Sequence, residues 1–234
     1  MNEIVENVSR IREEMARAEA QAGRPTGEVL LLAATKMNDA RRIQEAIAAG
    51  VDACGENRVQ ELQEKNAQGA YVGAPLHFIG HLQKNKAKFL VGEVDLIQSV
   101  DSEALMAVID RLAAQKGIRQ DILIEINIGG EAAKSGIIPE KADEMSAKMY
   151  KFPNLRLRGF MTIPPISVEN GGNLRYFAKM YQLYVDIKAK KYDNTNIDCL
   201  SMGMSDDFAD AIKEGATMIR VGTRIFGSRQ YVKN

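Results

Sequence analysis

Tryptophan is absent from this chain of 234 residues, and cysteine and histidine occur only twice each. Two cysteines, Cys54 and Cys199, cannot build a disulfide framework, so a packed core has to hold the fold. Two histidines leave no credible Ser/His/Asp arrangement. His77 and His81 stand four apart with Gly80 between them and no carboxylate or cysteine cluster beside them, short of the three or four ligands a stable metal site wants. An excess of either charge is also missing. Lys plus Arg and Asp plus Glu each number 31, so no net field directs the chain to nucleic acid or a membrane surface. The short basic run Lys84-Asn-Lys-Ala-Lys88 reads as a solvated helix face. No apolar run approaches a membrane span, and Met1-Asn-Glu-Ile-Val-Glu-Asn7 does not read as a signal peptide, so a cytoplasmic location is expected. Nucleotide-binding glycine patterns are lacking too. No dinucleotide fingerprint follows the first apolar run, and Ile128-Gly-Gly-Glu-Ala-Ala-Lys-Ser135 has Ile128 and Ala133 where a Walker A loop needs glycine.

What is present is an ordinary globular composition, 45% hydrophobic and 26% charged, arranged in regular alternation. Residues 2–21 form a charged helical pattern with Ile4, Val8, Ile11, Met15 and Ala18 on one stripe, ended by Gly23-Arg24-Pro25. Short apolar runs follow at 29–35, 53–55, 77–79, 96–99, 122–128, 155–161, 199–201 and 218–221. Helical patterns separate them at 40–49, 59–66, 84–90, 102–116, 141–150, 174–190 and 206–214, with a last short segment near 225–229. Eight strands alternating with helices over this length predict an α/β fold, a single-domain (β/α)8 TIM barrel spanning 1–234 with an extra N-terminal helix.

In that architecture the residue of most interest is Lys36, which ends the most apolar run, Val29-Leu-Leu-Leu-Ala-Ala-Thr35. Low-dielectric surroundings disfavour an ammonium ion and favour a neutral amine able to attack a carbonyl. The competing reading is a packed stem whose charge snorkels to water. Barrels of this kind carry their sites at the C-terminal strand ends, which sets Lys36 at the mouth, just before Asn38-Asp39, a helix cap. The seventh strand leads into Leu200-Ser-Met-Gly-Met-Ser-Asp-Asp207 and the eighth into Arg220-Val-Gly-Thr-Arg224. Both are glycine–hydroxyl loops at the two positions where barrels frequently hold phosphate, although Ser201 and Gly222 also suit plain turns. A reactive lysine and a phosphate cup at one opening suit a phosphorylated aldehyde held as a Schiff base, pyridoxal 5′-phosphate above all. A lysine aldolase acting on a sugar phosphate would use the same parts. Strand alternation turns Arg220 inward, near a pyridine nitrogen or into an ion pair with Glu56 or Glu125. Lys134 and Ser135 stand at the rim, and Met202 and Met204 border the cup.

These segments resemble the pyridoxal phosphate homeostasis protein family, also called the proline synthetase co-transcribed homologue family. The resemblance covers essentially the whole chain and rests on Ala34-Thr-Lys36, Gly55-Glu-Asn-Arg-Val-Gln-Glu61, His77-Phe-Ile-Gly-His-Leu-Gln-Lys-Asn-Lys86, Lys134-Ser-Gly136, Arg158-Gly-Phe-Met161 and the two loops just quoted. It implies a barrel similar to the N-terminal domains of alanine racemase and eukaryotic ornithine decarboxylase. By that similarity Lys36 carries pyridoxal phosphate as an aldimine; Ser201, Gly222 and Thr223 match phosphate-holding positions; Arg220 faces the pyridine nitrogen; and Asn57 lies near the cofactor. An arginine there weakens the ring as an electron sink. The family is regarded as a carrier or regulator in vitamin B6 homeostasis, with no catalytic activity expected. The alternative is a racemase-like enzyme or Schiff-base aldolase. The chain has no room for the β-domain of the racemases and leans towards a monomer, with apo-enzymes that need the cofactor as partners. Met37 departs from relatives, which more often follow the lysine with threonine.

Overall fold

The computed structural model describes residues 2–131, 133–167 and 171–227. The eight apolar runs become β1 (Leu30–Ala34), β2 (Ala53–Glu56), β3 (Leu76–Phe78), β4 (Leu96–Val100), β5 (Gln120–Ile126), β6 (Leu155–Thr162), β7 (Thr195–Ser201) and β8 (Met218–Val221). All pair in parallel in sequence order, and β8 returns to β1 with Leu32 opposite Arg220, closing the barrel. Closure removes every sheet edge and sorts side chains into two sets by strand alternation. Leu32, Ala53, Leu96, Leu123, Met161, Cys199 and Met218 pack against one another in the barrel interior. Leu31, Ala33, Cys54, Ile122 and Ile124 face outward into the larger core under the helices.

That outer layer comprises α2 (Ala40–Ala48), α3 (Val59–Ala67), α4 (Glu103–Lys116), α5 (Ala142–Ala147), α6 (Leu174–Lys190), α7 (Phe208–Lys213) and α8 (Thr223–Phe226). The N-terminal helix α1 (Glu3–Gln21) buries the expected stripe of Ile4, Val8, Ile11, Met15 and Ala18. Asn2 caps it by accepting from the Ile4 amide at 3.0 Å. Its packing bears on the mouth of the barrel. Glu14 receives Arg224 Nη2 at 2.6 Å, and Asn7 donates to the Ile225 carbonyl at 3.1 Å, so α1 fastens the turn that follows β8.

Three expected elements come out differently. Lys84–Phe89 is a 3-10 helix, not α-helix. It buries only Ala87, and Lys86 and Lys88 lie over the Phe89 ring, so it lacks the apolar stripe that sustains longer helices. The 141–150 pattern splits into α5 and a 3-10 turn, Lys148–Lys151. Strand β7 begins four residues earlier than its apolar run, because the exposed Asp198, which receives Arg158 at 2.7 and 2.6 Å, interrupts the apolar pattern. The last expected helix, 225–229, comes two residues earlier, as α8, and has ended at Gly227; Ser228 and Arg229 lie outside the described residues.

Gly159 stands where the register of β6 with β7 shifts. Its φ is +142°, and a Cβ there would sit 1.9 Å from the Cys199 carbonyl oxygen. We expect Gly159→Ala to cost about 3 kcal/mol, because neither backbone can give way. Chemical denaturation checks it, as a lower midpoint at unchanged slope.

Candidate functional site

Lys36 stands two residues beyond β1, in a tight turn. The Asn38 amide donates to the Thr35 carbonyl at 3.1 Å, and Asn38 Nδ2 donates to the Lys36 carbonyl at 3.1 Å. Met37, the third residue of this turn, has φ +62°, as a type II turn demands, though its side chain disfavours that region. Glu61 of α3 accepts the Met37 amide, which holds this conformation from behind. Asp39 then caps α2 by accepting from the Arg42 amide at 2.9 Å, as expected. Lys36 itself is half-buried.

Lys36, Gly222 and Thr223 line one cavity of about 550 Å³, with Ala34, Asn38 and Arg42 among its other walls. The register explains the meeting. Ala33 lies opposite Val221, so the next residues of each strand, Ala34 and Gly222, come together at the mouth. A Cβ on Gly222 would lie 3.4 Å from the Ala34 Cβ, so the two small residues keep the floor open. Thr223 Oγ1 donates to Ser205 Oγ at 3.0 Å, joining the loops after β7 and β8 by a hydroxyl pair. Gly203 accepts the Arg220 amide at 3.0 Å, which ties the loop after β7 to β8 itself.

Arg220 and Ser201 lie together inside the barrel. Both are buried, and Arg220 Nη1 donates to Ser201 Oγ at 2.7 Å while Nη2 donates to the Thr162 carbonyl at 2.8 Å. Burial pulls Arg220 down to about 10, opposed by Glu125 and Asp207, which leaves it a cation at neutral pH. Neither carboxylate considered as its ion-pair partner takes that role. Glu56 points away from the barrel interior and pairs with Lys65 at 2.7 Å; Glu125 Oε1 accepts from Ser135 Oγ at 2.9 Å. Burial raises the Glu125 carboxyl above the usual range, and its Oε2 has no hydrogen-bond partner among the described residues. Lys134 pairs with Glu131 and donates to the Pro164 carbonyl at 3.1 Å. Asn57 follows β2 as Lys36 follows β1, and its buried Oδ1 has no partner either. Burial pushes both cysteine thiols up to about 12, so neither offers a thiolate.

Sequence reasoning missed Gln98, which is fully buried on β4 and accepts from Ser201 Oγ at 2.7 Å. The available signal was an amide inside the apolar run 96–99. It also missed Lys65, whose ammonium lies buried behind the Lys36 turn and donates to the Thr35 carbonyl at 2.9 Å.

A closed parallel barrel with a lysine just past its first strand, and hydroxyl-bearing loops after its last two, belongs to the alanine racemase N-terminal type. The model of that domain family matches residues 6–230. Within that class the chain belongs to the pyridoxal phosphate homeostasis protein family. It is 42% identical over 227 residues to the pyridoxal phosphate homeostasis protein of Aquifex aeolicus, a match covering 97% of this chain and 98% of that one. Among solved structures, an unknown protein from Bifidobacterium adolescentis superposes with a TM-score of 0.90 at 40% identity, covering 96% of this chain and 94% of the other. PipY of Synechococcus elongatus, solved with pyridoxal phosphate bound, superposes with a TM-score of 0.78 at 32% identity, covering 91% of this chain and all of PipY (100%).

Proposed function

We propose that this protein binds pyridoxal 5′-phosphate covalently and reversibly through Lys36 and acts in the intracellular homeostasis of that cofactor, as carrier or regulator. The observation that carries the reading is the shared cavity, which Lys36 lines together with Gly222 and Thr223. The residues fit the group: the cavity joins an amine to a bare backbone turn, and Asn57 Oδ1 is a buried acceptor in want of a donor. The cofactor supplies an aldehyde, which a primary amine attacks with loss of water. Lys36 is that amine. Gly222 and Thr223 hold the phosphate, Asn57 stands beside the ring, and Ser201 acts from beneath through Arg220.

Arg220 argues against chemistry that needs a protonated ring nitrogen as a strong electron sink. A guanidinium can only donate a hydrogen bond, so a ring nitrogen facing it stays unprotonated and withdraws electrons weakly. Tyr71, the tyrosine behind β1, donates to Glu56 at 3.0 Å; burial first, then Glu56, holds its phenol neutral, and it offers no acid–base group to the cavity. The relatives' name and the cofactor in PipY support the reading. The proposal extends to a cytoplasmic monomer of one domain that supplies apo-enzymes. Among the described residues no helix is long and apolar enough to cross a membrane.

The test is direct. Incubated with pyridoxal phosphate, the protein should turn yellow, and borohydride should fix the label on the peptide containing Lys36. A protein that stays colourless with excess cofactor sinks the reading. Exchange of amino-acid α-protons in D₂O at catalytic rates would return the assignment to a racemase-like enzyme.

A further inference from the structure

Gln98 lies in the barrel interior and carries a polar chain from one side to the other. Arg220 Nη1 donates to Ser201 Oγ at 2.7 Å, Ser201 Oγ donates to Gln98 Oε1 at 2.7 Å, and Gln98 Nε2 lies 3.0 Å from His77 Nδ1. The same Nε2 also meets Met218 Sδ at 3.2 Å. The direction of each proton follows from Arg220. A guanidinium only donates, so Ser201 receives there and must send its own proton elsewhere, to Gln98 Oε1. That turns the amide nitrogen towards His77, and an amide nitrogen also only donates. His77 therefore presents a lone pair at Nδ1 and carries its hydrogen on Nε2. The opposite amide orientation would leave the Ser201 proton facing another donor.

We infer that Gln98 is a positioning residue of the site and that His77 locks it, the pair orienting the Ser201 hydroxyl and, through it, the Arg220 guanidinium. The site role rests on the reading of pyridoxal phosphate as the ligand. Burial supports the lock by pulling His77 down to about 4, with Asp95 and Asp121 opposing and Arg158 adding to the effect. The imidazole thus stays neutral across the physiological range, as the chain requires.

The first measurement needs no cofactor. With two histidines in the chain, ¹⁵N imidazole spectra resolve both, and His77 in the free protein should be the neutral Nε2–H tautomer at pH 6–8. Gln98→Glu replaces the donor facing Nδ1 by an acceptor, so the His77 titration should rise by about 2 units. Gln98→Met keeps the bulk and loses both bonds; affinity should fall about tenfold and the visible band should shift, with borohydride still fixing the label at Lys36. A His77 that carries its proton on Nδ1, or titrates near its ordinary value, overturns the inference. So does Gln98→Met with unchanged affinity and band. Parent protein that takes up no cofactor at Lys36 overturns the functional reading and with it the site role of Gln98, a failure the tautomer of the free protein does not share.

Discussion

Lys36→Ala should fold normally yet give no yellow band with pyridoxal phosphate and no borohydride-fixed label on the peptide spanning position 36. The fold survives because the turn is held by backbone and by other side chains. Asn38 bonds the carbonyls of Thr35 and Lys36, and Glu61 holds the Met37 amide, none of which needs the Lys36 ammonium. Attachment fails because, among the described residues, Lys36 is the lysine that lines the cavity with Gly222 and Thr223. An ordinary solvated lysine, with a pKa near about 10.4, is neutral in fewer than about one molecule in a thousand at neutral pH, so random labelling is slow. Lys36→Arg makes the control, since it keeps a cation and cannot form the linkage. Mass mapping after borohydride decides. Equal labelling of another lysine in the Lys36→Ala protein would remove Lys36 from the mechanism and leave the cavity as a site for non-covalent phosphate.

The second large effect belongs to stability. Lys65→Met should destabilise the protein by about 3–5 kcal/mol, because it strands a buried carboxylate. Glu56 is fully buried, and its Oε1 gathers Lys65 Nζ at 2.7 Å, Thr35 Oγ1 at 2.7 Å and the Tyr71 hydroxyl at 3.0 Å. Lys65 is the cation of that cluster and also bonds Glu61 at 2.6 Å. Hydroxyl donors alone do not replace a counter-charge in a low dielectric. A loss of this size is a large part of the 5–15 kcal/mol typical of folded proteins. The pair Glu56→Gln/Lys65→Met should regain most of it, since neither member then carries charge. Urea unfolding of both single variants and the pair gives the coupling energy. A Lys65→Met protein within about 0.5 kcal/mol of the parent would show that the ion pair does not carry this corner. The same cluster reaches the site. Lys65 holds the carbonyl before Lys36, and Glu61 holds the amide after it, so losing Lys65 should also loosen the lysine's aim.

Both predictions involve contacts that differ in how far the sequence betrays them. Lys36 was legible because it ends a run whose length and β-branched or leucine-rich content mark a buried strand, and because barrel topology assigns strand ends a common face. The loops at Ser201–Asp207 and Gly222–Thr223 were legible by glycine beside hydroxyls, residues whose turn chemistry is local. The Glu56–Lys65 pair was not. Its members sit nine positions apart on a strand and the following helix, and nothing in the intervening pattern says that both point into the same dry layer. Gln98 shows a different limit. An amide inside an apolar run signals a buried polar group but cannot name its partners, here Ser201, 103 positions away, and His77, 21 positions away.

The sequence by itself determined the order and type of nearly every element, the closure-compatible count of eight strands, and the placement of a lysine and two hydroxyl loops at one end of the barrel. These follow from short-range physics: side-chain periodicity, capping and turn chemistry act over a few residues and can be read in order along the chain. Only the tertiary structure decided which groups share a cavity and which are spent on one another. Closing β8 onto β1 brings Gly222 beside Ala34 and so to Lys36, while Arg220 turns to Ser201 and Thr162 instead of a carboxylate. Partner choice of that kind depends on through-space distance and on the cost of leaving any buried donor or acceptor unmet, and chain order does not encode either.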